Sequence, residues 1–282
     1  MFFFNRSPVV PVLRFNGPIG MATPLRPGLG LATTAGPIER AFSMSKLPTV
    51  AVVINSPGGS PVQSHLIFSR IRQLAKEKNK RVYVFCEDVA ASGGYFLALA
   101  GDEIYADPSS IVGSIGVISA GFGFHKLIDR FGVERRVHAT GKDKGALDPF
   151  QPERPDDVAR LKELHRDVLD VFVGIVKARR AGKLKEPQEE LFTGAFWSAA
   201  KALDYGLIDG IADLRSKMQQ LHGDKVRLRA VPMERGGLLS RFRRLPGFNA
   251  GIGLDGIAFP ASLTDDLVST IEARALWSRF GF

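Results

Sequence analysis

The chain has 282 residues, a formal net charge of +9, 45% hydrophobic residues and 24% charged residues, which is an ordinary globular balance. This length holds one large domain, or one domain with an appendage. A single cysteine excludes an internal disulfide framework, and the basic residues accompany no nucleic-acid-binding motif, so no nucleic-acid partner is predicted.

Residues 1–6 lack the basic start and the long apolar core of a signal peptide. No stretch reaches about 18 uninterrupted apolar residues, the length that a membrane-spanning helix needs. We therefore expect a cytoplasmic protein. The basic, phenylalanine-containing stretch at 235–244 is compatible with peripheral contact with an anionic membrane surface.

Strand and helix patterns alternate along the chain. Apolar runs bounded by turn residues predict strands at 9–15, 50–54, 82–86 and 103–105, a further apolar stretch at 115–118 and a partly exposed strand at 133–138. Helical spacing predicts helices at 37–45, 60–78, from 92 onward, and at 124–131, 156–180 and 199–207. Strand 50–54, helix 60–78 and strand 82–86 form a β-α-β unit, which implies parallel strands and a right-handed crossover.

Residues 20–34 resemble a mobile loop, and Pro37 is placed at the first position of the next helix. Buried stripes are predicted for two helices, formed by Leu66, Ile67, Ile71 and Leu74, and by Leu161, Leu164, Val168, Val171, Phe172 and Ile175.

The composition changes after about Leu214, where glycine, proline and arginine become frequent. We interpret residues 223–262 as a tail that is loosely packed or docks on a partner, with a terminal helix at 265–280. The predicted organisation is a domain at 1–214 and a C-terminal extension at 215–282.

Two glycine turns follow consecutive predicted strands, at 56–59 (Ser-Pro-Gly-Gly) and at 92–94 (Ser-Gly-Gly). Parallel strands place such turns at the same edge of a sheet, where α/β proteins carry their sites. Ser92 on its turn is a candidate nucleophile, and the amides of Gly58 and Gly93 are candidate donors to an oxyanion.

A nucleophilic serine needs a base. His65 and His165 fall on predicted helix faces and His222 lies near the tail, whereas His125 and His138 stay open as bases. The other candidate is a lysine at 140–144, since a lysine is a base when burial or neighbouring positive charge lowers its pKa. No histidine pair has metal-ligand spacing, so neither a metal nor a cofactor is predicted.

Five segments in chain order resemble the signal peptide peptidase A family of serine peptidases (family S49), whose fold is similar to that of the Clp protease subunit and the crotonases. They lie at 54–59, 91–95, 113–117, 140–144 and 196–209, and the resemblance covers about residues 9 to 214. The expected fold class is therefore α/β, with repeated β-α-β units and a mainly parallel sheet flanked by helices.

The resemblance implies peptide hydrolysis through an acyl-enzyme, with Ser92 as nucleophile, Lys144 as base and Ser114 holding the lysine. Gly58, Gly59 and Gly93 would bind the oxyanion and substrate. It also implies small apolar side chains near the scissile bond, signal-peptide remnants or other unfolded peptides as substrates, and protomers assembled as a homo-oligomeric ring or dome.

The chain departs from the family pattern in three places. It shows no membrane anchor, Gly145 follows the lysine where many relatives carry an acidic residue, and Asp148 precedes Pro149 where a serine is common. Two other functions stay open. One is a crotonase-like acyl-CoA hydratase, for which Glu87 is the available carboxylate. The other is a non-catalytic scaffold partner of a membrane protein complex.

Overall fold

The structure is a computed structural model that describes residues 7–21, 28–185, 188–233, 270–271 and 273–282. Its strands are β1 (Val9–Asn16), β2 (Thr49–Ser56), β3 (Arg81–Ala91), β4 (Glu103–Ala106), β5 (Ile111–Gly113), β6 (Phe196–Ser198), β7 (Gly210–Ile211) and β8 (Arg227–Ala230). Its helices are α1 (Leu31–Met44), α2 (Pro61–Glu77), α3 (Gly93–Ala98), α4 (His125–Arg130), α5 (Pro155–Arg179), α6 (Gln188–Leu191), α7 (Ala199–Asp204) and α8 (Leu214–His222).

All eight strands belong to one sheet. Its main path runs β6-β5-β3-β2-β1-β8, and β4 pairs with both β3 and β7. Every pairing is parallel except that of β5 with β6. The prediction of a mainly parallel α/β sheet is therefore confirmed.

Helices cover both faces of the sheet, which explains why the central strands are apolar along their whole length. In β2, Val50, Val52 and Ile54 join the large core that includes residues of α1, α2, α3 and α5. The intervening Ala51 and Val53 face the opposite core, which includes Met218 of α8. Strand periodicity of two thus distributes one run of apolar residues between two cores.

An irregularity in the register between β2 and β3 positions the end of β3. Ile54 pairs with Cys86, but Ser56 pairs with Ala90, so three residues of β3 lie opposite Asn55. The Asn55 side chain accepts a hydrogen bond from the Val89 amide (3.3 Å) and donates one to the Asp88 carboxylate. A bulge bends the strand that contains it, and here the bend sets the direction in which β3 enters the turn that follows.

Helix α1 corrects two predictions about the chain before β2. The helix begins at Leu31, so the predicted loop ends earlier, and Pro37 lies inside the helix instead of at its first position. Tertiary and local hydrogen bonds stabilise this earlier start. The Leu31 amide donates to Gln63 Oε1 of α2 (2.9 Å), and the Thr34 hydroxyl donates to the Gly30 carbonyl (2.8 Å).

Between β5 and α5 the prediction of a strand at 133–138 is wrong, because these residues are irregular and exposed. The apolar stretch at 115–118 is irregular, and the strand of this region, β5, ends just before it. The buried stripe of α5 is also partly wrong, since Leu164 and Val171 are 57% and 55% exposed and only Phe172 of the predicted stripe is buried. On α2, Leu66 is exposed while Ile67, Ile71 and Leu74 are buried as predicted.

The chain after residue 214 is packed at least to residue 233, which corrects the prediction of a loose tail for that part. Strand β8 pairs in parallel with β1, and Met218 and Val226 are buried. The predicted boundary at 214 therefore cuts through the sheet, while a separate C-terminal unit stays a prediction. Of the predicted terminal helix, residues 270–271 and 273–278 are helical, and residues 234–269 lie outside the described residues.

None of the helices in the described ranges combines the length and the apolar character needed to cross a bilayer.

Cys86 is buried in β3, where desolvation raises the pKa of its thiol to about 12. The thiol therefore stays protonated and packs as a small apolar residue.

Candidate active site

Ser92 lies between the end of β3 and the start of α3. Its backbone amide donates to the Gly113 carbonyl (2.8 Å), and its carbonyl accepts from the Phe96 amide (2.9 Å). Its hydroxyl does not cap the helix that follows. The backbone of Ser92 is thus fixed by two hydrogen bonds, while the hydroxyl is left available on a partly exposed turn.

The backbone conformation of Ser92 is unusual for a serine. Its φ of 52° and ψ of −121° lie in a region that favours glycine. A non-glycine residue held there stores about 1–3 kcal/mol of strain, and such residues cluster at functional sites. The turn therefore has the geometry expected of a nucleophile held out of regular structure.

The two glycine turns meet, as predicted. A Cβ placed on Gly58 would lie 2.8 Å from Ser92 Cβ and 2.9 Å from the Gly93 amide nitrogen. Only glycine therefore fits at position 58 beside the Ser92 turn. The Gly58 amide itself donates to Ser56 Oγ (3.2 Å), so that amide already has a partner.

The amide of Gly59 is close to Gly93 from the other side. A Cβ placed on Gly93 would lie 3.3 Å from the Gly59 nitrogen and 2.5 Å from Ser64 Oγ. The Gly93 amide belongs to the first turn of α3, where backbone donors have no partner within the helix. Gly59 and Gly93 are thus better placed than Gly58 to donate to a negatively charged oxygen.

Ser114 lies at the end of β5, beside the Ser92 turn. Ala91 and Gly113 are paired residues of β3 and β5, so the serine that follows each strand is at the same edge of the sheet. Ser114 is 3% exposed, its φ is 52°, and its amide donates to the Ala195 carbonyl (2.7 Å). The structure therefore brings Ser92 and Ser114 to neighbouring strand ends.

Lys144 lies elsewhere, on an exposed segment between β5 and α5. From residue 118 to residue 156, a stretch described throughout, no residue is buried, and Lys144 itself is exposed. Within the described part of the chain no hydrogen bond joins Lys144 to Ser92, and Lys144 does not line the cavity beside Ser92 that is described below. The Lys144 side chain, which was expected to be buried, is therefore exposed in the single chain.

A mainly apolar cavity of about 240 Å³ lies beside Ser92. Residues from α2, α3, α5 and the segment after β5 form its walls: Gly59, Pro61, Val62, His65, Leu66, Ser92, Gly93, Phe96, Gly116, Val117, Val168, Val171 and Phe172. The cavity is open to the nucleophile turn and has the size and polarity to hold an apolar side chain of a ligand.

The sequence did not predict the cavity walls as such. Leu66, Val168 and Val171 were predicted as core residues because of their helical spacing, and they line the cavity instead. His65, predicted as a surface residue, is exposed at the cavity and packs edge-on against the Phe96 ring (6.0 Å between centroids). Helical spacing was a usable signal, but it does not distinguish a core from a cavity wall.

The described residues hold no group of three or more His, Cys, Asp or Glu side chains able to bind a metal ion. The carboxylate named for a hydratase, Glu87, is paired with Arg14 and does not line the cavity.

Comparison with known proteins decides the family. The sequence profile of peptidase family S49 matches residues 74–226, a range that includes Ser92, Ser114 and Lys144. The chain belongs to peptidase family S49. A Synechocystis protein named as a putative protease is 34% identical over 192 residues, which cover 66% of this chain and 68% of that protein. The chloroplastic serine protease SPPA of Arabidopsis thaliana is 29% identical over 83% of this chain and 35% of its own length.

A further relative of this chain has a different kind of name. A Brucella abortus protein named as a Na(+)/H(+) antiporter, NhaA, is 52% identical over 274 residues, which cover 96% of this chain but only 37% of that protein. This chain therefore spans little more than a third of that relative.

The S49 fold is also found in a solved structure. A mutant of the 1510-N membrane-bound stomatin-specific protease aligns with a TM-score of 0.50 at 17% identity, over 81% of this chain and 99% of that one. At this identity the likeness concerns the fold alone. It confirms the predicted Clp protease/crotonase-like architecture.

Proposed function

We propose that this S49 family member is a serine endopeptidase in which Ser92 is the nucleophile and Lys144 the general base. The observation that carries the proposal is the strained Ser92 turn, which lies between the backbone amides of Gly59 and Gly93 and an apolar cavity. A free hydroxyl, donors for a developing oxyanion and a binding cavity are the parts that acyl transfer requires.

The reaction proceeds in two steps. Ser92 Oγ attacks the peptide carbonyl while its proton passes to the neutral amine of Lys144, and the amides of Gly59 and Gly93 stabilise the oxyanion. The C–N bond then breaks, the departing amine takes the proton, and an ester joins Ser92 to the acyl group. Water, deprotonated by the same lysine, hydrolyses this ester and regenerates Ser92. Ser114 holds the lysine in place.

The position of Lys144 has a consequence for this mechanism. A general base must be in its neutral form, and burial is one way to favour the neutral form of a lysine. The same segment exposes large apolar side chains, with Phe122 80%, Phe131 77% and Val133 57% exposed. We propose that a second copy of the chain covers this segment, in the ring or dome that the family resemblance led us to expect, and that the dyad is complete in that assembly.

The cavity supports a substrate class. An apolar cavity beside the nucleophile favours peptides with an apolar side chain next to the scissile bond, and an extended, unfolded peptide reaches it more easily than a folded protein. Signal-peptide remnants and other small unfolded peptides meet this description.

The direct test combines fluorophosphonate labelling with cleavage of a casein substrate. Ser92→Ala is expected to abolish both, and Lys144→Ala is expected to lower both strongly. Lys142→Ala is the matched control, since Lys142 is exposed on the same loop and should leave both unchanged. The variant His65→Ala tests the titratable side chain that lines the cavity with Ser92.

Loss of labelling in His65→Ala with full labelling in Lys144→Ala would reassign the base. Activity should also rise toward alkaline pH, as a lysine base loses its proton. A native mass measurement tests the assembly, and a monomer with full activity would refute the proposal that a second copy completes the dyad.

A second candidate is the scaffold partner of a membrane protein complex. The 52% identity with part of a protein named as an antiporter favours it, because that protein joins a region similar to this chain to a longer polypeptide. Ser92-dependent labelling separates the two functions, since a scaffold has no reason to react at that serine.

A further inference from the structure

Asp157 is a buried carboxylate in a part of the chain that is otherwise exposed. It lies in the first turn of α5 and is 5% exposed, although no residue from 118 to 156 is buried. A buried charge is costly unless it is paired and hydrogen-bonded. The contacts of Asp157 therefore indicate what this burial achieves.

Those contacts join the start of α5 to the lysine loop, which we define as residues 141–148. Arg154 binds the Asp157 carboxylate through two nitrogens, with Nε at 2.7 Å and Nη2 at 2.8 Å. Arg154 Nη1 reaches back to the Lys142 carbonyl at 3.4 Å.

A second ion pair holds the same loop. Arg160, one turn further along α5, pairs with Asp143 at 2.9 Å. Lys142 and Asp143 directly precede Lys144 in the chain. The loop is thus attached to the start of α5 next to the residue proposed as the base.

The lysine loop has little structure of its own to fix its shape. Two backbone hydrogen bonds hold it internally, from the Lys144 amide to the Gly141 carbonyl and from the Ala146 amide to the Asp143 carbonyl, each 3.1 Å. Leu147 has a φ of 57°, which is unfavourable for a leucine and persists only where the surroundings impose it.

The Asp157 carboxylate is ionised when it holds these contacts. The hydrogen bonds from Arg154 lower the pKa of Asp157 and outweigh the opposing effect of burial. Asp157 is therefore ionised and accepts both hydrogen bonds from Arg154 at neutral pH.

We propose that Asp157 is a positioning residue that fixes the lysine loop and thereby sets the place of Lys144. It acts through Arg154, which reaches the Lys142 carbonyl, and does not touch the substrate. The proposal rests on the proposed function, because a residue that positions Lys144 affects catalysis only if Lys144 is the general base.

The test measures kcat and KM for a peptide substrate in the full-length chain. Asp157→Ala is expected to lower kcat by about 100-fold, the cost of a displacement of a reacting group by about 1 Å, with KM unchanged. Asp157→Asn keeps an oxygen that accepts from Arg154 and should recover part of kcat. Asp156→Ala is the matched control, since Asp156 is the exposed neighbour on the same helical turn, and it should keep the wild-type kcat.

Hydrogen exchange gives a readout that does not depend on activity. The amides of residues 141–150 should exchange faster in Asp157→Ala than in the wild type or in Asp156→Ala, while those of β2 and β3 stay protected. Unchanged exchange in the lysine loop would overturn the proposal.

The failure of this inference is distinguishable from failure of the proposed function. If Lys144→Ala is inactive while Asp157→Ala keeps its kcat, the positioning role is wrong and the dyad stands. A rise in KM with kcat unchanged would also overturn it, since Asp157 would then act on substrate binding. If Lys144→Ala retains full activity, the dyad itself is wrong.

Discussion

Replacing Ser92 with glycine should raise the stability of the protein while removing its activity. The φ of 52° and ψ of −121° at this position are strained for serine and unstrained for glycine. The Ser92 side chain does not cap α3, so no capping hydrogen bond is lost in the variant. The relief of backbone strain therefore decides whether the Ser92→Gly variant is more or less stable than the wild type.

The expected magnitude follows from two opposing contributions. Relief of the strain gains about 1–3 kcal/mol, and the greater freedom of glycine in the unfolded chain costs about 0.5–1 kcal/mol. The net gain is about 1 kcal/mol, which corresponds to a rise in Tm of about 2–4 °C for a chain of this size. Ser92→Ala retains the strain and should leave stability unchanged, although it is equally inactive.

Urea unfolding followed by the fluorescence of the two tryptophans measures this difference. Ala159→Gly, at an exposed position in the second turn of α5, is a control of opposite sign and should lose about 1 kcal/mol. If Ser92→Gly is less stable than Ser92→Ala, the turn is not strained and the argument for a nucleophile held by its surroundings fails.

Two further predictions concern packing around the site. Asp209→Asn should lower the free energy of unfolding by about 3–5 kcal/mol at pH 7, because Arg180, 2% exposed, loses its ion pair. Burial acts to raise the pKa of Asp209, but hydrogen bonds from Arg180 and Lys183 outweigh it and lower that pKa. The stabilisation is therefore complete above the unfolded-state pKa and is lost as pH falls through the folded-state pKa, so urea unfolding should show a weaker acid dependence in the variant. Phe280→Ala should cost about 3 kcal/mol in the same assay, because its ring, 6% exposed, packs beneath the end of β3, whereas Phe282→Ala, at 58% exposed, should cost little.

Local sequence patterns predicted the part of the fold that carries Ser92. The β2-α2-β3 unit has continuous apolar strands, a serine cap at Ser60 and glycine turns at both strand ends, so propensity, periodicity and turn chemistry agree. The register irregularity opposite Asn55 was not predicted, because it depends on side-chain bonds between two strands.

The failures have a common physical origin. Leu164, Val171 and the apolar residues at 133–138 were predicted as buried or partly buried, and they are exposed in the single chain. Hydrophobic periodicity reports that a surface needs a partner, but it does not say whether the partner belongs to the same chain. The same limit applies to Lys144, whose motif is readable from the sequence while its distance from Ser92 is not.

The burial of Cys86 has a practical consequence. The chain has one thiol, and burial keeps that thiol unreactive at neutral pH. A cysteine introduced on the surface would therefore be the one thiol that a labelling reagent modifies. A spin label or fluorophore attached at Gly145 would then report motion next to the lysine without first mutating the native thiol, and paired labels on two copies would report how closely protomers approach.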